Sequence, residues 1–175
     1  MTSLYAISIP VLANVLKVTS TILKKGEQWA KEQKMSSADL LALRIYDDML
    51  PLGMQVWINV VTTKKAIERL TGTAPPQIEG REKTIEELYA MIDDTLKELA
   101  QVKKEDVDDR DGVEVPCVFG KNEYKTSLVE YVHGYPIPTV YFHLNMIYAI
   151  LRGKGVSLGK MDYMEEFMAP FTKIN

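Results

Sequence analysis

Ile137-Pro138-Thr139-Val140-Tyr141-Phe142-His143-Leu144-Asn145-Met146-Ile147-Tyr148-Ala149-Ile150-Leu151-Arg152 is the stretch that decides the fold. It is apolar around nearly the whole helical wheel, and Gly153 and Gly155 end it. Such a helix must lie in a core or in a subunit interface. Against that background Thr139 and His143 stand one turn apart on a single face. Pro136 and Pro138 interrupt the region that starts near Ser127, so its second half restarts near Ile137.

A second segment shows the same anomaly. From Pro51 to Thr71, with Gly72 as the residue past its end, the pattern is helical. Leu52, Met54, Val56, Trp57, Ile58, Val60 and Val61 dominate its first half, yet Gln55, Asn59 and Thr62 share one stripe. If the helix reaches back through Asp48, that carboxylate joins the stripe, and Arg44 one turn earlier can pair with it. Buried polar groups need partners. The two stripes therefore either satisfy each other, as a seam that fixes helix register, or line a pocket; the residues alone leave both readings open.

Two further long helices complete the set. One runs from Pro10 to Lys34, with Pro10 in its first turn. Val11, Leu12, Val15, Leu16, Val18, Ile22, Leu23 and Trp29 form its apolar face. The other opens at the capping box Thr84-Ile85-Glu86-Glu87 and runs to about Val102. Ser36 and Ser37 offer a cap to a short helix, Ala38–Tyr46, and residues 73–83, with Ala-Pro-Pro and Gly80, read as a crossing loop. Residues 103–112 are charged and turn-like; Val113–Phe119 and Glu123–Thr126, joined by Gly120-Lys121-Asn122, read as a hairpin whose Pro116 demands an edge position. A last short helix is expected around Met161–Met168. The expected fold is all-α: an up-down-up-down four-helix bundle with a small β-hairpin before the fourth long helix, one domain over residues 1–175.

Composition narrows the function. The 175 residues are 46% apolar and 26% charged, with 21 Lys and Arg against 24 Asp and Glu. A net charge of −3 argues against general nucleic-acid binding, which needs a basic face. No apolar run is expected to approach the ~20 residues of a membrane span. The single cysteine, Cys117, excludes an intramolecular disulfide and a Cys-rich zinc site, and reads as a small strand residue. Leu4–Leu16 is apolar, but it lacks a positively charged start and contains Pro10, so it reads as the start of a helix in a cytoplasmic protein. Glu130-Tyr131-Val132-His133 has the spacing of half a di-iron motif, with no second copy. Gly155–Lys160 fails the spacing of a phosphate loop and reads as a helix exit.

Several local patterns together resemble one family. They are Arg44-x-x-x-Asp48-Met49-x-Pro51-Leu52-x-x-Gln55, Pro138-x-x-Tyr141-Phe142-His143, Tyr148-Ala149-x-Leu151-Arg152 and Gly155-Val-x-Leu-Gly159-Lys160-x-Asp162-Tyr163. In this order and spacing they resemble the uncharacterised family "domain of unknown function nineteen-ninety-three", within the DinB/YfiT-like superfamily, over nearly the whole chain. The resemblance implies a four-helix bundle, often dimeric. It also implies a divalent metal held by one histidine on the second long helix and an H-x-x-x-H pair on the fourth. His143 matches the second histidine of that pair, Thr139 stands in the place of the first, and the second long helix has no histidine, Gln55 being its nearest polar residue. Neutral Thr and Gln are poor ligands for zinc or nickel, so the resemblance supports fold and pocket while the residues predict no metal and no cofactor.

The function expected is a small-molecule-binding, catalytic bundle with acid/base chemistry between the second and fourth long helices. Isomerisation, dehydration or cyclisation would suit it. His143 is the expected acid/base, since imidazole titrates near neutral pH. Asp48 would orient it or act as a second such group, and Gln55, Asn59, Thr139 and Arg44 would bind substrate. The alternatives are a non-catalytic binding or interaction protein and a metal-dependent hydrolase or transferase. A homodimer is also expected, because the fourth long helix is apolar on more faces than one bundle core can bury.

Overall fold

The computed structural model describes residues 3–174 apart from Pro75, Glu79, Glu82, Asp111 and Gly120, and the side chain of Phe119 is also outside the description. The expected hairpin glycine, Gly120, and Pro75 of the crossing loop lie among the residues not described.

Helix α1 (Leu4–Glu32) starts well before Pro10. Two acceptors make that start possible: the Ser3 side chain takes the N–H of Ala6, and Asp108 Oδ1 takes that of Tyr5 at 2.9 Å. Pro10 is thus inside the helix, on its exposed side, where water can reach the carbonyl it leaves unpaired. By length and composition α1 could cross a membrane, yet 56% of its most apolar stretch is buried inside the molecule.

The short helix α2 (Ser37–Ala42) ends before the expected Tyr46, because the chain turns extended at Leu43. Leu43 accepts the N–H of Leu52 at 2.8 Å, which folds residues 43–51 into a loop ahead of α3 (Leu52–Thr71). Asp48 therefore lies in an exposed turn, not on a backward extension of α3, and the expected stripe loses its carboxylate. At the other end of α3, Gly72 takes φ +71, and Arg110 packs so closely there that a Cβ would meet its guanidinium at 2.5 Å. Helix α4 (Ile85–Gln101) carries the expected capping box. The turn-like stretch after it contains a short helix, α5 (Lys104–Asp108).

Strands β1 (Glu114–Phe119) and β2 (Asn122–Ser127) pair antiparallel, with Glu114 opposite Ser127. Helix α6 (Leu128–Gly134) follows, then a break at Tyr135, then α7 (Pro136–Gly153) and α8 (Lys160–Met168). Pro136 opens α7, so both prolines sit in the first turn, where their missing N–H groups cost nothing. In α6, Glu130 spends its carboxylate on the N–H and hydroxyl of Ser127 and on Thr126, while His133 is exposed. The Glu-x-x-His spacing is thus a capping box.

The chain is mostly helical with one small two-stranded sheet. Helix α7 packs against α3 and α1, and α4 packs against the same two, so α4 and α7 lie on opposite sides of the α1–α3 pair. The long stretch between α4 and α7, with α5, the hairpin and α6, lets these chain neighbours sit apart. The contact of α1 with α7 is close: a Cβ on Gly26 would come within 2.8 Å of Leu151. Helix α8 buries no residue of its own, yet its Tyr163 and Phe167 lie against Tyr148 and Tyr141 of α7. Lys25 and Lys17 of α1 hold its Asp162 and Glu166.

Inside the core, Asn59 is fully buried and donates from Nδ2 to Thr19 Oγ1 at 3.3 Å, while its Oδ1 has no partner. Removing one member of such a pair costs the desolvation of the other, whereas replacing both with apolar groups can be neutral. Thr19→Val alone should therefore destabilise by about 1–3 kcal/mol, and the double variant Thr19→Val/Asn59→Leu should recover most of that loss in urea unfolding. Additive losses would argue against a purely structural pair.

Candidate functional site

His143 and Gln55 meet. His143 sits in the middle of α7, half-buried, and Gln55 lies in the first turns of α3, 3% exposed. His143 Nδ1 and Gln55 Oε1 are 2.6 Å apart. The other end of the same amide donates from Nε2 to the Leu50 carbonyl at 2.9 Å. Phe142, 55% exposed, stands edge-on to the imidazole with ring centroids 5.2 Å apart. Burial alone pushes the imidazole pKa down to about 4 from its usual 6.5, so the ring is neutral at pH 7. A group so far below the working pH holds a lone pair rather than a proton to give.

The other expected site residues are spread out. Thr139 is half-buried one turn before His143 on α7. Asn59 and Thr62 continue the α3 stripe inward, buried, with Asn59 turned to Thr19 on α1. Arg44 does not pair with Asp48: its guanidinium reaches the carbonyls of Ala42 at 3.5 Å and Asp47 at 3.3 Å. Both residues are exposed, and among the described residues no ion pair or hydrogen bond joins Asp48 to His143. The surface cavities described lie elsewhere; one of about 470 Å³, lined by Ile67, Thr71, Glu98 and Val102, opens between the ends of α3 and α4.

Two participants escaped the sequence reading. Leu50 acts through its main-chain carbonyl, which no side-chain pattern marks. Thr19 falls one turn after Val15 on the buried face of α1, a polar residue in an apolar stripe, and that position was a usable signal.

The donors do not suit the metal that the resemblance implies. Among the described residues no group of three or more His, Cys, Asp and Glu is placed to hold an ion. Around His143 stand an amide already engaged at both ends and the hydroxyl residue Thr139. Neither is a good partner for a borderline transition metal.

Comparison with known proteins places this arrangement. A solved DinB family member protein from Shewanella denitrificans is similar to this chain with a TM-score of 0.83 and 29% identity, over 92% of this chain and 91% of the other. No curated protein matches it. The family described as Domain of unknown function (DUF1993) matches residues 4–164. With that match over most of its length, the chain belongs to the DUF1993 family of DinB-like proteins.

Proposed function

We propose that this protein is a cytoplasmic small-molecule-binding DinB-like four-helix bundle, with acid/base chemistry of the isomerase, dehydratase or cyclase type at His143. The four long helices share one continuous apolar core, which supports the bundle reading. One observation carries the functional reading: a neutral, half-buried imidazole has Nδ1 held by Gln55, while no described residue bonds Nε2. Among the described residues the sealed, unpartnered side-chain atoms are Trp57 Nε1, Asn59 Oδ1, Arg110 Nε and the Tyr131 hydroxyl, and Nε2 of His143 is not one of them.

A neutral ring makes His143 an acceptor first: it would take a proton or a hydrogen bond from the ligand. Thr139 is near enough in sequence and face to contact the same ligand. Asp48 and Arg44, in the loop whose Leu50 carbonyl holds Gln55, would contribute only if that loop closes over the site. Asn59 belongs more naturally to the core. The reading needs no cofactor, and the small negative net charge favours neither nucleic acid nor a membrane surface as partner.

Homodimerisation is part of the proposal. Helix α8 covers the Tyr141 and Tyr148 side of α7, but Phe142 beside His143 and Ile45, Tyr46 and Leu50 of the 43–51 loop remain exposed. Light scattering at micromolar concentration should give the mass of two chains; the mass of one would overturn this part.

Native mass spectrometry of the purified protein should find a bound small molecule that His143→Gln loses. That substitution should lower the melting temperature by only a few degrees, about 1 kcal/mol or less for a chain of this size. A large loss of stability with the molecule still bound would return His143 to a core role. The pH dependence gives a separate check. Because the folded pKa of about 4 lies below the usual 6.5, the unfolded chain binds more protons between those values. The contribution of His143 to stability is therefore full above about pH 6.5 and is lost as pH falls toward 4. Melting curves from pH 7 to 4 should fall more steeply for the wild type than for His143→Gln.

A further inference from the structure

The carboxamide of Gln55 has two chemically different ends, and its surroundings decide which way each faces. The Leu50 carbonyl can only accept a hydrogen bond, so the end 2.9 Å from it must be the NH2 group. The reverse orientation would press two acceptors together on a side chain that is 3% exposed, with little room for water to intervene. Planarity then turns Oε1 toward His143, 2.6 Å from Nδ1. That oxygen can only accept, so Nδ1 must carry the hydrogen. A neutral imidazole has one N–H, and Nε2 is left with its lone pair bare.

The Leu50 carbonyl is free for this task because of where the helix begins. Pro51 is the N-cap residue of α3, and its carbonyl accepts the N–H of Gln55 at 3.1 Å. Leu50 is one residue earlier, outside the helical ladder, so its carbonyl is open to a side chain. The bond from Leu52 N–H to the Leu43 carbonyl holds the loop there.

We propose that Gln55 is a positioning residue: anchored by the Leu50 main chain, it fixes His143 in the Nδ1–H tautomer and presents a bare Nε2 at the site. The groups around it are suited to this. Helix α3 carries no charged residue from Leu52 to Thr63, and α7 has no acidic or basic residue from Pro136 to Leu151 other than His143 itself. Lys17, Lys24 and Lys25 lie on α1, with Lys17 and Lys25 paired to α8, and the loop's Arg44, Asp47 and Asp48 are exposed. The choice of tautomer thus falls to a neutral amide. The role in ligand binding rests on the function proposed above, in which Nε2 accepts a proton or hydrogen bond from a ligand O–H, N–H or S–H group; the tautomer itself does not.

Two-bond ¹H–¹⁵N correlation of the imidazole rings tests this on the folded protein without any ligand. The chain has two histidines, and His133→Gln assigns the signals. At pH 7 the wild type should show His143 protonated on Nδ1 and bare on Nε2. Gln55→Leu removes the acceptor, and the Nδ1–H form should fall from dominant to minor as the ring reverts to the preference of free imidazole for Nε2–H. Gln55→Glu keeps an acceptor, and Nδ1 should stay protonated whether or not Nε2 gains a second proton. Leu50→Ala should change nothing, because the main chain does the work. An Nε2–H tautomer in the wild type would overturn the proposal, as would an unchanged Nδ1–H tautomer in folded Gln55→Leu. If Gln55→Leu does not fold, the wild-type and Gln55→Glu spectra decide. A confirmed tautomer with no bound molecule would defeat the proposed function and leave the positioning role of Gln55 standing; a bound molecule on an Nε2–H ring would do the reverse.

Discussion

The burial of α7 is the constraint on which the rest of the structure depends. Val140, Leu144, Ile147, Ile150 and Leu151 are buried along it, and at about 25 cal/mol per Å² such side chains dominate the favourable side of folding. No single neighbour can cover a helix that is apolar on nearly every side. Helix α3 takes one flank and α1 another. The aromatic side chains of α8 take a third, at ring distances of 5.8 and 6.2 Å. The placement of α8 follows from this need: it has no buried residue, and its charged contacts to α1 are surface pairs of small individual value.

The same constraint produces the site. Where two apolar helices press together, a polar side chain between them has little water to turn to and must find a protein partner. His143 finds Gln55, and Gln55 finds the main chain of the preceding loop. Each bond restricts the next, so three ordinary groups give one tautomer. Asn59 is the contrasting case one turn further in, where Thr19 satisfies one end and the other end stays unpaired. One stripe of α3 thus serves two purposes, a half-open polar contact at its start and a structural pair in the core.

The groups beside His143 differ from the three-histidine metal arrangement that the resemblance implies. The polar group that α3 offers there is the amide of Gln55, and it engages Nδ1 of His143. The imidazole is left as a neutral acceptor, which suits proton abstraction or hydrogen-bond capture better than proton donation at rest.

Much of this was legible in the sequence. The long helices, the capping box at Thr84, the hairpin, the break before α7 and the polar stripes follow from local rules, because capping and hydrophobic period act over a few residues. A contact between the His143 and Gln55 stripes was one of the two readings that the sequence left open, since polar anomalies on two buried helices must find either each other or a pocket. What the sequence could not decide depended on where the chain crosses itself. The stripe stops short of Asp48 because the bond from Leu52 to Leu43 turns residues 43–51 into a loop. The long α4–α7 connection allows those helices to avoid each other, and helical period says nothing about such neighbours. The group that orients Gln55 is a backbone carbonyl, identical in every residue type, so only the tertiary path of the chain could single out the one at Leu50.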